Sequence, residues 1–365
     1  MRILILNWRD IKHPLAGGAE ISTHQHAKRW LEEGHEVILF SSKVPGEPKK
    51  ETLEGIKIIR AGNHYTVHLH AFFYYLRNLR GKIDVMVDEF HFIPFFTPLY
   101  TRTRIIAFIH ETAEEIWFKN QFFPVNVLGF LLEPFFFKLY KNIPFITVSD
   151  STKKDLIRFG IKEKNIYIIH NGASFEKSKS KKEKDPTIIF LGRLAKDKGV
   201  EDAVVAFSDI QKKIKEAKLW IVGREEKKGY IEDLKKKINN LKIERKVSFL
   251  GFVDDKKKFN LLKKAWILIH PSYREGWGLT VIEAAYCGTP CVAYDVPGLC
   301  DSVLDKKTGI LVNKKDPVML AKKIIEIIYD KSLYSSLSKN AISWSKSFNW
   351  KDATDKSLNI IQDIK

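Results

Sequence analysis

The sequence predicts an α/β protein made of two doubly wound, Rossmann-like domains facing across a deep cleft. Three observations predict it. Short apolar runs rich in Ile and Val alternate with helical patterns, as parallel sheets covered on both faces require. The alternation runs through the chain twice. A polar stretch with five lysines, residues 172–186, separates the two runs. A length of 365 residues suits two domains.

The elements follow in order. Residues 3–6 read as a buried strand. A helix over 19–33 comes next, closed by Gly34 where a C-terminal glycine is expected. Strands follow at 37–40, 56–60, 85–87, 105–109, 145–148 and 166–169, giving a first domain over 1–171. The linker is 172–186. A second domain, 187–344, starts afresh at Thr187, with later strands at 218–222, 247–250, 267–269, 291–294 and 309–312. The terminal segment 345–365 reads as a helix able to pack on either domain, and is assigned to completing the first.

Composition excludes several classes. A hydrophobic share of 44% rules out disorder and low-complexity structure. Three cysteines (Cys287, Cys291 and Cys300) make neither a disulfide framework nor a CxxC metal site, and suit a reducing, cytoplasmic compartment. The net charge of +18 admits nucleic acid, an anionic membrane or phosphorylated substrates as partners. Much of the excess lies in lysine runs such as 235–237 and 256–258, which read as solvated helix faces. No nucleic-acid-binding module accompanies them, so nucleic acid is not expected.

The opening residues 1–7 are too short for a signal peptide's apolar region. The most apolar stretch, 122–140, is broken by Pro124, Glu133 and Pro134 and falls short of the roughly 20 residues a spanning helix needs. It is rich in Phe, with Lys119, Lys138 and Lys141 beside it, and residues 72–80 share that flavour. Such segments either lie in a membrane interface or pack inside a core.

Three loops after strands carry the chemistry. Residues 16–20 (Ala-Gly-Gly-Ala-Glu) open a helix, and adjacent glycines there let backbone amides approach an anion. This is not the dinucleotide fingerprint, because GxGxxG is absent and no acid ends the second strand. Residues 192–199 place Arg193 and Lys198 on a strand-to-helix loop, a planar fork and a point charge suited to a diphosphate. Residues 274–284 hold Glu275 in a glycine-flanked loop and Glu283 within the next helix, whose start near Gly278 offers amides to a phosphate. Two carboxylates also suggest a glycosidase, but that reaction needs no phosphate site.

Carrying these loops, nearly the whole chain resembles the retaining GT-B glycosyltransferases of family 4 (the group 1 family). Glu275 to Glu283 is similar to that family's Glu-x7-Glu motif, residues 192–199 to its phosphate loop, and residues 16–20 to its N-terminal glycine loop. Asp301 stands where the family often has Glu, and Arg224 follows Gly223 where a second glycine is common. The resemblance implies that Gly17, Gly18, Arg193, Lys198, Glu275, Gly276, Trp277, Gly278, Leu279 and Glu283 bind a nucleotide-sugar donor. Within that set, Arg193 and Lys198 hold the diphosphate and Glu283 the ribose. It implies His110 and Glu275 as catalytic residues beside the donor sugar.

The expected reaction is transfer from a UDP- or GDP-sugar with retention, by front-face attack, without a metal or other cofactor. Domain closure would assemble the site. Asp88, Glu89 and His91, after a strand of the first domain, are the candidate acceptor residues. The aromatic stretches favour a lipid-linked or membrane-proximal acceptor and an enzyme held peripherally on the cytoplasmic face of an anionic membrane. Three alternatives stay open: a soluble sugar or sugar-phosphate acceptor, a phosphorylase-like or epimerase enzyme on the same donor site, and a non-enzymatic basic protein that binds nucleic acid.

Overall fold

The computed structural model describes residues 1–173 and 180–363. The linker expected over 172–186 therefore lies partly outside the described residues. The chain divides into two units: Met1–Gly172 with Trp350–Lys365, and Ala173–Asn349.

The first unit carries an eight-stranded sheet among the described residues. Its strands are β1 (Arg2–Leu6), β2 (Glu36–Ser41), β3 (Lys50–Leu53), β4 (Ile56–Arg60), β5 (Val85–Phe90), β6 (Arg104–Ile109), β7 (Phe145–Thr147) and β8 (Ile166–Ile168), in the order β3-β4-β2-β1-β5-β6-β7-β8. All neighbours are parallel except β3, which pairs antiparallel with β4 through a turn at Glu54 and Gly55. That edge strand escaped the sequence reading because Lys-Glu-Thr-Leu is polar and half-exposed, with no apolar run to mark it. The buried strands Ile3–Leu6 and Val85–Val87 need helices on both faces. One cover is the helix Gly18–Glu32. Against it lies the terminal helix Trp350–Asp363, where Ser357 bonds His26 (2.8 Å) and Trp30 (3.1 Å) and Asp355 bonds Arg29.

The second unit carries six parallel strands among the described residues: β9 (Thr187–Leu191), β10 (Lys218–Val222), β11 (Val247–Gly251), β12 (Ile267–His270), β13 (Cys291–Tyr294) and β14 (Gly309–Val312), ordered β11-β10-β9-β12-β13-β14. Its core joins Ile188, Phe190, Phe207, Leu268 and Val292, each 0–1% exposed. The described end of the linker is tied to this unit. Lys182 Nζ donates to the Ala265 carbonyl and to Thr289 Oγ1, both at 2.6 Å, and Trp266 Nε1 donates to the Glu183 carbonyl. Burial brings the Lys182 amine down to about 7. A composition-based reading sees only polarity there, because a lysine that hydrogen-bonds a helix end looks no different in sequence from a solvated one.

Each sheet reverses its winding once. In the first unit the switch lies between β1 and β5, and in the second between β9 and β12. The carboxyl ends of those strand pairs are where an open α/β sheet binds its ligands.

Candidate active site

At the switch of the second unit, the loops after β9 and β12 interlock. Gly199 (φ +68) lets them touch: a Cβ there would sit 2.0 Å from the Pro271 carbonyl oxygen. Lys198, one residue earlier, places Nζ 2.8 Å from Glu275 Oε1 and 3.7 Å from Asp197 Oδ2. Glu275 is itself held from behind. Its N–H donates to the Pro297 carbonyl (3.1 Å), and Gly298 (φ +81) runs so close that a Cβ would meet the Glu275 carbonyl oxygen at 2.1 Å. His270, the last residue of β12, puts Nε2 3.3 Å from Glu275 Oε1. Burial alone would raise the Glu275 carboxyl. The Lys198 ammonium and the His270 contact outweigh it and hold the group far below the usual carboxylate range.

Arg193 extends this array. Its guanidinium pairs with Glu226 and lies 3.5 Å from Asp197 Oδ2. The sequence suggested two fixed cations waiting for an anion. The structure shows an alternating chain, Glu226–Arg193–Asp197–Lys198–Glu275, in which each cation is already held by a carboxylate. Any anion placed here would have to compete with carboxylates for both cations.

Glu283 lies in the helix Leu279–Tyr286, which begins after Gly278 (φ +82). Its Oε1 is 2.6 Å from Lys258 Nζ. Burial pushes this carboxyl up, and Lys258 only partly offsets that. Lys258 belongs to the run 256–258, expected to be a solvated face. It is instead largely buried between Glu283 and Asp255. Gly276 is half-buried and Leu279 opens the helix. The Trp277 indole turns inward, its ring 5.0 Å from Phe348, so its side chain belongs to the unit's own packing.

At the switch of the first unit, Asn7 follows β1 and Glu89 lies near the end of β5. Asn7 Nδ2 donates to Glu89 Oε2 at 2.5 Å. Thr23 Oγ1 lies 2.6 Å from Glu89 Oε1 and 3.1 Å from the Ala19 carbonyl. A hydroxyl has one proton, so a protonated Glu89 that donates to Thr23 satisfies both contacts. Burial, with the nearby Glu20 and Asp88 charges, pushes this carboxyl up to about 8. Glu20 is the charged neighbour: it accepts from Arg9 Nε (2.9 Å) and from the Gly17 N–H (2.7 Å), and His91 Nε2 lies 3.6 Å away. Sequence reasoning quoted Glu20 only as part of the glycine loop and missed Asn7, Arg9 and Thr23. Glu20, three residues after the helix's capping Gly17, was the available signal.

Gly17 caps the helix that Gly18 begins. Its φ of −145° suits any residue, and an added Cβ would meet only Glu20 Oε2, at 4.0 Å. Neither backbone nor packing within the unit requires glycine here. His110, just past β6, is buried, its ring 6.2 Å from that of His91 and 4.9 Å from Phe108. Burial and His91 push its imidazole down to about 3, so it is neutral near pH 7. Its Nε2 has no hydrogen-bond partner among the described residues, although buried polar atoms in folded proteins nearly always have one.

Asp88 is corrected. It does not line an entrance. It is fully buried, and its carboxylate accepts from the Phe95 N–H (2.9 Å), Thr97 Oγ1 (2.7 Å), the Thr97 N–H and Tyr140 Oη (2.5 Å). It anchors the loop after β5. Of the three acceptor candidates, His91 and Glu89 meet at the switch, and Glu89 meets it from inside.

The family Glycosyltransferase Family 4 matches over residues 16–177, and the family Glycosyl transferases group 1 over residues 173–344. The chain belongs to the group 1 glycosyltransferases. A glycosyltransferase of Methanocaldococcus jannaschii is 26% identical over 384 residues, covering 96% of this chain and 95% of its own. The poly(glycerol-phosphate) alpha-glucosyltransferase of Bacillus subtilis is 31% identical over 180 residues, which is 47% of this glycosyltransferase and 26% of its own length. Among solved structures, sucrose-phosphate synthase from Thermosynechococcus elongatus is similar with a TM-score of 0.82 at 20% identity, covering 99% of this chain and 98% of that one. HepE of Anabaena, in complex with UDP-glucose, gives 0.79 at 17% identity over 99% of each chain. The fold of this glycosyltransferase is thus GT-B, as the sequence implied.

Proposed function

We propose that this glycosyltransferase moves a sugar from a nucleoside-diphosphate donor, a UDP- or GDP-sugar, to an acceptor hydroxyl, with retention and without a metal. The observation that carries the reading is the Lys198–Glu275 pair at the switch of the second unit, flanked by Arg193. Breaking the anomeric bond places negative charge on the departing diphosphate. Lys198 and Arg193 supply positive charge there from preorganised positions. Glu275, kept ionised, is suited to accept hydrogen bonds from sugar hydroxyls, and Glu283 from the ribose. The solved complex of HepE with UDP-glucose supports a nucleotide-sugar donor.

Retention by front-face attack leaves the acceptor's proton to the leaving phosphate oxygen, so no base of the protein is needed. Glu275 is the alternative nucleophile. Its tight pairing with Lys198 lowers its nucleophilicity, which favours the front-face route. The first unit serves the acceptor, with neutral His110 offering Nε2 to a hydroxyl. The exposed aromatic segments of that unit favour a lipid-linked acceptor at the cytoplasmic face of a membrane over a soluble sugar phosphate.

The test is a nucleotide-sugar panel with EDTA present and lipid extract as acceptor. Sugar transfer from one donor, with the anomeric configuration kept and no mass adduct on Glu275, is the expected result. Loss of activity in EDTA would overturn metal independence. A trapped glycosyl-enzyme would overturn front-face attack.

A further inference from the structure

The helix Val125–Leu139 is built inside out for a helix bathed in water. Its buried residues are Gly129, Glu133 and Phe137, spaced i, i+4, i+8 on one narrow stripe. Gly129 is there because the Trp117 ring lies on it: a Cβ would fall 2.4 Å from the indole. Glu133 accepts from the Ala113 N–H (2.7 Å), the Glu114 N–H (2.8 Å) and Trp117 Nε1 (3.1 Å). The polar anchor thus faces the protein, and the apolar side chains face out. Leu128, Leu131 and Phe135 are 54–57% exposed, and Phe122 and Phe123, just before the helix, are 66% and 78% exposed. Single exposed apolar residues are ordinary; a contiguous set on one helix is not.

We propose that this outward face enters the interfacial region of an anionic lipid bilayer. The proposal rests on the glycosyltransferase reading only for its purpose, not for its observations. Charge selects the occupant. Between residues 116 and 149 the ionisable carboxylates number one, Glu133, which points inward, against Lys119, Lys138 and Lys141. Lys138 Nζ lies over the Phe135 ring, 4.7 Å from its centroid, so a cation rides on the exposed apolar face itself. A second copy docked through this face would carry the same excess of lysine and no outward carboxylate to pair with it. A 15-residue helix is about 22 Å long, too short to cross a hydrocarbon core of about 30 Å, so it lies in the interface rather than spanning it. The helix is also tied to catalysis by position: Glu133 grips Ala113 and Glu114, in the loop that His110 begins.

The experiment is sedimentation of the full chain with phosphatidylcholine vesicles, with and without phosphatidylglycerol, at low and high salt. Wild-type protein is expected to bind the anionic vesicles, with part of the binding surviving high salt. Phe123→Asp with Leu131→Asp should lower binding at least tenfold while UDP binding and the melting temperature stay at wild-type values. Lys138→Gln with Lys141→Gln should remove the salt-sensitive part alone. Failure of the wild type to bind anionic vesicles overturns the proposal. So does a concentration-dependent dimer in light scattering that Leu131→Asp dissolves, which would give the face to a second copy. UDP binding reads the donor site separately, so its failure would count against the glycosyltransferase reading and not against this surface.

Discussion

Lys198 Nζ sits 2.8 Å from Glu275 Oε1, although 77 residues separate them in sequence. The pair exists because β9 and β12 are neighbours at the point where the second sheet reverses, so their following loops meet. One partner is suited to hold a phosphate and the other a sugar. In the proposed reaction, their contact sets the distance between those two tasks before a donor binds.

Removing Glu275's negative charge separates its two duties. Glu275→Gln keeps the shape but releases Lys198 from a strong pairing. Diphosphate alone should then bind as well as in wild type or better, while sugar transfer falls about 100-fold or more. Steady-state kinetics beside calorimetry with UDP or GDP checks this. Equal losses in both would mean the residue serves only the loop's structure.

Two glycines should behave oppositely. At Gly17 an added methyl meets no side chain of the described residues closer than 4.0 Å, so Gly17→Ala should unfold within about 1 kcal/mol of wild type, yet turn over far more slowly if the space belongs to a substrate. At Gly199 the methyl would strike the Pro271 carbonyl, so Gly199→Ala should cost more than about 2 kcal/mol in urea unfolding. Wild-type turnover by Gly17→Ala would leave that glycine unexplained.

Glu89 makes stability depend on pH. Its folded value is raised to about 8, with Glu20, Asp88, Arg9 and His91 around it, against an ordinary glutamate value near 4.5. Over that window the unfolded chain has released the proton and the folded chain keeps it. Stability is therefore full below about pH 4.5 and is lost as pH rises toward 8, on the order of 1 kcal/mol per pH unit. Glu89→Gln should remove that slope and gain on wild type from pH 5 to pH 8. Parallel stability profiles for the two proteins would count against a protonated Glu89.

Asp88→Asn should destabilise by about 1–3 kcal/mol, because the amide must turn its NH2 either toward the Phe95 N–H or toward the Thr97 and Tyr140 donors. Wild-type stability with a raised acceptor KM would return Asp88 to the acceptor site.

The legible part of the sequence is what repeats locally. Runs such as Ile3–Leu6 and Ile267–Ile269 announce buried parallel strands because both faces of each are apolar. Loops after those strands stand out by their glycines, and the resemblance drew Arg193, Lys198, Glu275 and Glu283 from them. Partners across the fold did not show. Lys258 looks in sequence like its exposed neighbours and is distinguished only by facing Glu283. Asp88 and Glu89 are adjacent strand-end acids, and only the alternation of faces sends one to a loop anchor and the other to Asn7 and Thr23. Of the carboxylates that hold Arg193 and Lys198, Asp197 shares their loop, but Glu226 and Glu275 come from separate loops, so those two pairings did not show in the sequence.

The most direct test is calorimetric titration of the full chain with UDP and GDP and their sugars, in EDTA, beside Lys198→Met and Arg193→Met. Micromolar binding of one nucleotide by wild type, weakened at least tenfold in each variant at unchanged melting temperature, is the predicted result. Equal binding by wild type and both variants would contradict the account, because the diphosphate would then not rest on these two cations.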